Sequence, residues 1–306
     1  MVNIDDIKKN CRGRIAINEP LSRYTSLRVG GPADYFLEPA NKEDVARIVK
    51  YLLDQRFPMF VVGKGSNLLV SDDGIRGAVI NLESGLTSIV MDGNQVVAEA
   101  GVTIARFVDF TIQQSFKGAE MLAGIPGTLG GAIMMNAGAW GGEISDHLID
   151  VEVLRNGLPV VVKKEAAGFS YRHSGFQGEV ILRGRFRYPT GDKGEILSAR
   201  REMLLKRNKS QPLNFPNSGS MFKNPAGNFA GRLIEDAGLK GAKCGDAQIS
   251  EKHGNFIINL GNARAADVLE LLRIARTTVS QKFGVLLEPE VKLVGFPDNI
   301  MKEFAL

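Results

Sequence analysis

The chain has 306 residues, 44% of them apolar and 24% charged, and its 38 lysines and arginines exceed its 34 aspartates and glutamates for a net charge of +4. These proportions exclude a disordered or fibrous chain, and so small and dispersed a basic excess excludes nucleic acid as the main partner in favour of a small anionic molecule. Cys11 and Cys244 lie too far apart in sequence for a disulfide framework, the opening MVNIDDIKKN offers no apolar signal, and no apolar run of about 18 residues occurs; a soluble cytoplasmic protein with no membrane partner is expected.

In chain order, Val45, Ile48, Val49, Leu52 and Leu53 recur at helical spacing, with Asn41 placed to cap, and predict an amphipathic helix over 43–55. Strands are expected at Phe60-Val61-Val62 and at 78–82, separated by a glycine-rich turn. Asp92-Gly93-Asn94 and Asn156-Gly157 supply the positive φ angles of tight turns, and so predict hairpins of 89–91 with 96–98 and of 151–154 with 160–162. A helix over 104–116 and an irregular loop over 124–142 lie between them. Pro189-Thr190-Gly191-Asp192 is the expected boundary before a basic helix at 195–209 and a long helix at 265–283, whose Val268, Leu271, Leu272, Ala275, Val279 and Phe283 share one face. The elements read as an α+β fold with units at 1–83, 84–190 and 191–306.

Five segments carry groups suited to chemistry. Gly63-Lys64-Gly65-Ser66-Asn67 lets backbone N–H groups approach a pyrophosphate, although taken alone it reads first as a tight turn. Gly124, Gly127, Gly130, Gly131, Gly138, Gly141 and Gly142 crowd a stretch that regular structure tolerates poorly, with Pro126 to stiffen it; close passage of a flat or phosphorylated ligand explains the density, and so does a structural loop. Tyr171-Arg172 pairs an aromatic wall with a guanidinium fork, a combination also common on surfaces. In Asn217-Ser218-Gly219-Ser220-Met221-Phe222-Lys223-Asn224-Pro225 small neighbours leave Ser220 accessible, as a proton donor or as a turn residue. In Leu287-Glu288-Pro289-Glu290-Val291-Lys292-Leu293, period-two alternation puts Glu288, Glu290 and Lys292 on one face, bordering either solvent or a site. Lys193, Arg200, Arg201, Lys206, Arg207 and Lys209 form either a solvated helix face or an attractor of phosphate. With His147, His173 and His253 the only histidines, neither a Ser-His-Asp hydrolase nor a metal site is indicated.

Taken in order, Thr25-Ser26-Leu27-Arg28-Val29-Gly30-Gly31, GKGSNLL, GIPGTLGGAIMMNAGAWGGEI, Tyr171-Arg172, SGSMFKNP and LEPEV resemble the UDP-N-acetylenolpyruvoylglucosamine reductase family, over about Asn18 to Leu293. The resemblance implies a vanillyl-alcohol-oxidase-like two-lobed FAD-binding fold followed by a smaller α+β substrate-binding domain. It implies NADPH as co-substrate, UDP-N-acetylglucosamine enolpyruvate as substrate, and a place in cytoplasmic synthesis of peptidoglycan precursors, and thus in cell-wall biogenesis, cell shape, cell cycle and division. By matching position, Arg172, Ser220 and Glu290 are catalytic, with Ser220 the proton donor. FAD, held without a covalent bond, would lie against Gly63, Lys64, Gly65, Ser66, Asn67, Gly124, Pro126, Gly127, Gly131, Asn136, Gly138 and Arg207. Tyr171, Asn224 and His253 would line the substrate site. The short interval between Arg172 and Ser220, whose only tyrosine is Tyr188, resembles the shorter family type that lacks a tyrosine lid. A flavin oxidase of the same fold, tethering FAD through a residue such as His147, is the alternative.

Overall fold

The computed structural model describes residues 2–304. The chain forms two compact units, each drawn from three stretches: Met1–Ile17, Tyr35–Lys64 and Gly77–Lys206 in the first, Asn18–Asp34, Gly65–Arg76 and Arg207–Leu306 in the second.

The first unit has a five-stranded antiparallel sheet in the order Leu158–Lys163, Leu148–Arg155, Val180–Phe186, Gln95–Glu99 and Ile89–Asp92. Both expected hairpins are present in it. Asn156 and Gly157 adopt φ of 52° and 77°, the left-handed pair that a two-residue turn needs to match strand twist, and Arg155 pairs with Leu158 across it. The other hairpin turns on Gly93, with φ of 59°. A four-stranded sheet runs Arg14–Pro20, Pro32–Glu38, Ile75–Asn81 and Met59–Val62, the last two parallel in register Met59 to Ala78 through Val62 to Asn81. One apolar cluster, from Ile7 through Val45, Ile80, Phe107, Ile133 and Val153 to Ile196, joins residues on both sides of position 83.

The helix expected at 43–55 runs Lys42–Asp54 and buries Val45, Ile48, Val49 and Leu52. Asn41 caps it, accepting from the Asp44 N–H. Asp44 itself is fully buried, a position its sequence spacing did not reveal. Its Oδ2 accepts from the backbone N–H groups of Arg12 at 2.9 Å and Ala40 at 3.1 Å, while Oδ1 pairs with Arg47. Glu152 is likewise buried and paired, with Lys42 at 2.8 Å and with Arg183. The loop expected over 124–142 is partly regular: Leu129–Met134 is a short helix, and Gly138–Ala139 pairs with Gly142–Glu143. Gly130 makes the helix possible, since a Cβ there would stand 2.9 Å from the Ala100 Cβ.

The second unit packs Ala230–Asp236 and the long helix Ala265–Phe283 with the three-stranded sheet of Lys243–Cys244, Ala247–Ile249 and Ile257–Asn259. The long helix has its expected bounds, ending at Gly284 with φ of 66°. Asp72 accepts from the N–H groups of Ala265 and Ala266 at its start. The unit's core joins Leu27, Val29 and Leu69 to Met221, Phe222, Leu233, Val268, Leu272 and Val279. LEPEV is not a continuous strand, because only Lys292–Val294 pairs regularly, in parallel with Leu68–Val70, and the proline interrupts what precedes it.

Asp44→Ala strands two backbone donors and should lower unfolding stability by about 2–4 kcal/mol, with the urea m-value unchanged; Asp44→Asn, which keeps an acceptor, should lose less. For Glu152, burial works against ionisation, but Lys42 and Arg183 prevail and hold its carboxyl below the ordinary glutamate range. Its ionised form therefore adds stability above the unfolded-state pKa, and the contribution fades as pH falls through the lowered folded-state value. Chemical denaturation of wild type and Glu152→Gln should show a gap at pH 7 that closes on acidification.

Candidate active site

In the first unit, Ser170 and His173 close a two-residue turn through reciprocal backbone hydrogen bonds of 3.1 Å, which puts Tyr171 and Arg172 at its tip. Arg172 takes a φ of 56°, unusual for a residue with a long side chain, and its guanidinium carbon lies 4.9 Å from the Tyr171 ring centre. Its Nη2 donates to the Gly138 carbonyl at 3.0 Å, tying the turn to the glycine-rich segment. Asn136 makes a second tie. It is 1% exposed, and its Nδ2 donates to Glu143 Oε2 at 2.6 Å and to the Ser170 carbonyl at 3.0 Å.

The glycines of this unit serve different ends. A Cβ on Gly63 would meet Thr128 Oγ1 at 2.1 Å, and one on Gly138 the Gly142 carbonyl at 2.3 Å, so both are fixed by close packing. Gly131 differs. It is exposed, and a Cβ on it would approach only Thr128 Oγ1, at 3.8 Å. Bare backbone over open space suits a dinucleotide's phosphates. The buried Asn136 Oδ1 has no hydrogen-bond partner among the described residues, and FAD, which carries N–H and O–H donors beside its phosphates, can supply one. These residues fit FAD.

In the second unit, two segments far apart in sequence are paired. The Met221 carbonyl accepts from the N–H groups of Glu290 at 2.8 Å and Val291 at 3.3 Å, Lys223 N–H donates to the Glu288 carbonyl at 2.8 Å, and the side chains of Lys223 and Glu288 form an ion pair. Ser220 and Glu290, both half-buried, are thereby neighbours through Met221. Asn67 joins the same pairing, its Nδ2 donating to the Glu290 carbonyl at 3.0 Å. Gly65 needs its left-handed φ of 57° and its lack of a Cβ, which would stand 2.0 Å from the Tyr24 carbonyl. Asn255, absent from the sequence reading, braces the serine loop. It is 3% exposed, accepts from Phe222 N–H at 2.9 Å through Oδ1, donates to the Phe222 carbonyl at 2.7 Å through Nδ2, and accepts from Met221 N–H at 2.9 Å through its own carbonyl. A polar residue directly before the apolar run Phe256-Ile257-Ile258 was the available signal.

Asn224 is exposed, and its Oδ1 accepts from Ala230 N–H at 3.1 Å. His253 Nδ1 accepts from Asn255 N–H at 3.2 Å. Burial, reinforced by Lys240 and opposed by Glu235, holds the imidazole below its ordinary range, so it is neutral at pH 7 with its proton on Nε2. Arg207 carries a buried Nε without a partner among the described residues, and desolvation lowers the pKa of its guanidinium. Along the basic helix, observed as Lys193–Ser210, Arg200 pairs with Asp109 at 2.6 Å and only Ile196 is buried. Lys64, Gly124 and Pro126 lie at the surface and Ser66 and Gly127 are half-exposed, with φ of 78° and 127° at Gly124 and Gly127. The His147 ring packs 4.5 Å from Tyr188 and against Gly118, where a Cβ would reach Nε2 at 2.4 Å. Tyr188 is buried in a cluster with Phe107, Phe116 and Phe186 and serves as core. Among the described residues, no group of three or more His, Cys, Asp or Glu could hold a metal, and no helix is long and apolar enough to cross a membrane.

A family model described as FAD binding domain matches residues 33–162, and one described as UDP-N-acetylenolpyruvoylglucosamine reductase, C-terminal domain, matches residues 211–294. The UDP-N-acetylenolpyruvoylglucosamine reductase of Caldanaerobacter subterraneus is 43% identical over 296 residues, covering 95% of this chain and 98% of the relative. That of Agathobacter rectalis is 45% identical, covering 91% and 93%. The crystal structure of UDP-N-acetylenolpyruvylglucosamine reductase from Thermus caldophilus superposes with a TM-score of 0.80 at 39% identity, covering 92% of this chain and 99% of that one. The fold is thus α+β, an FAD binding domain followed by a smaller C-terminal α+β domain. Near-complete coverage at this identity, on a chain whose glycine-rich segment and paired serine and glutamate loops stand as described, has one reading: the chain belongs to the UDP-N-acetylenolpyruvoylglucosamine reductase family.

Proposed function

We propose that the chain catalyses the NADPH-dependent reduction of UDP-N-acetylglucosamine enolpyruvate to UDP-N-acetylmuramate through FAD, in the cytoplasmic synthesis of peptidoglycan precursors, and so serves cell-wall growth and division. When bound, FAD would supply the two-electron chemistry that links NADPH to C3 of the enolpyruvyl group. We assign FAD binding to residues 1–83 and 84–190, through Gly63, Lys64, Gly65, Ser66, Asn67, Gly124, Pro126, Gly127, Gly131, Asn136 and Gly138, with Arg207 added from the segment 191–306, to which we assign substrate binding. The observation that carries the chemical reading is the Met221 pairing, which makes neighbours of Ser220 and Glu290 from positions distant in sequence.

Hydride arriving at C3 spreads negative charge from C2 onto the substrate carboxylate. Arg172 meets that charge with a planar fork of donors whose direction is set by the bond to the Gly138 carbonyl. Glu290 assists as a protonated acid or beside a cation, since a bare carboxylate would oppose the charge. Ser220 delivers the proton to C2, a step for which a neutral hydroxyl suits a carbanion. Tyr171, Asn224 and His253 hold the nucleotide sugar; for His253 the group offered is the Nε2 proton left by its Nδ1 bond to the backbone.

Purified protein supplied with NADPH and UDP-N-acetylglucosamine enolpyruvate should consume the two in equal amounts; bound flavin with no consumption would refute the reaction. In stopped-flow, Ser220→Ala should leave flavin reduction by NADPH near the wild-type rate and slow reoxidation by substrate by about 10²–10⁴-fold, the usual worth of a positioned acid. Acid precipitation should release the flavin into the supernatant, whereas yellow colour retained in the pellet would favour a tethered oxidase.

A further inference from the structure

We infer that Asn255 is a positioning residue for the proton-delivery step: its side-chain amide acts as a substitute strand that fixes the backbone immediately after Ser220 and, through Met221, the backbone of Glu290. The inference rests on the roles proposed for Ser220 and Glu290.

Three bonds converge from Asn255 on two consecutive residues. Its Oδ1 and Nδ2 engage both the N–H and the carbonyl of Phe222, as a neighbouring strand would, and its own carbonyl takes the Met221 N–H. With Phe222 1% and Met221 1% exposed, water cannot replace these bonds. The Met221 carbonyl, oriented in this way, accepts from Glu290 N–H, so one side chain sets the spacing between the serine and glutamate backbones. Gly219, with φ of 76° and its N–H on Asn217 Oδ1, lets the chain enter this clamp from the other side of Ser220. Asn255 does not need to touch the substrate. Its effect reaches the reaction only through where Ser220 and Glu290 stand.

A positional error of about 1 Å in a reacting group can cost about 100-fold. Asn255→Ala should therefore slow flavin reoxidation by the enolpyruvyl substrate by roughly that factor, leaving flavin content and flavin reduction by NADPH within about twofold of wild type. Asn255→Asp supplies a sharper readout. An ionised carboxylate repels the Phe222 carbonyl, while the protonated acid reproduces both the donor and the acceptor of the amide. Reoxidation by this variant should recover as pH is lowered from about 8 to about 6, the range in which a buried carboxyl regains its proton. The other titratable groups nearby are His253, bonded to the Asn255 N–H, and Glu288, Lys223 and Glu290 on the paired segments; the wild-type profile recorded in parallel carries their contribution.

Equal losses in both half-reactions for Asn255→Ala, or no loss in either, would overturn the inference, as would an Asn255→Asp profile parallel to wild type. If Asn255→Asp does not retain flavin, the half-reaction split of Asn255→Ala decides. Wild-type protein that fails to consume substrate would instead refute the proposed reaction itself, an outcome distinct from any of these.

Discussion

Buried backbone must find hydrogen-bond partners, and in the second unit that demand is concentrated on Met221. Its N–H goes to the Asn255 carbonyl and its own carbonyl takes N–H groups from Glu290 and Val291. No long strand is available at this point: the serine loop and the LEPEV segment meet as short irregular pieces, with a single bridge between Phe222 and Pro289. Side chains therefore complete the ladder. Asn255 supplies both bonds for Phe222, and Asn67 supplies one for the Glu290 carbonyl. An irregular loop allows a serine hydroxyl to stand clear of a sheet face, and the two asparagines make that irregularity affordable.

The first unit solves a related problem by leaving atoms out. Gly63 and Gly138 permit contacts that a single methyl group would abolish, whereas a methyl group on Gly131 would meet only Thr128 Oγ1 among the described residues. The same residue type thus marks internal packing at two positions and an outward approach at a third. Asn136 connects the glycine-rich segment to the Tyr171-Arg172 turn by its bond to the Ser170 carbonyl, so a ligand that engages the former acts on a segment fastened to the latter.

Much of the fold was legible from periodicity and turn chemistry. The helix at 265–283, the capped helix near 43–55 and both hairpins depend on local signals, namely an apolar stripe, a capping asparagine and glycines at positive φ, and they stand where those signals put them. The short helix inside the glycine-rich segment was illegible because glycine's low propensity argues against it, while its close approach to Ala100 requires it. The buried Asp44 and the clamp at Asn255 were missed for a common reason: each has a partner far away in sequence, Arg12 for the one and Phe222 for the other, which no local window contains. The family motifs marked Ser220 and Glu290 without revealing the backbone pairing that makes them neighbours.

The assembly of each unit from separate stretches bears on how the chain is made and cut. The core of the second unit includes Leu27, Val29 and Leu69, and Asp72 caps its long helix, yet most of its mass follows Arg207. During synthesis those early segments leave the ribosome well before the residues that cover them, and they must wait with apolar side chains uncovered while the first unit is still being extended. Conversely, a fragment beginning at residue 207 would carry a hole where three apolar side chains belong and a helix start without its aspartate. The C-terminal region is a unit of sequence comparison and not an autonomous piece of protein.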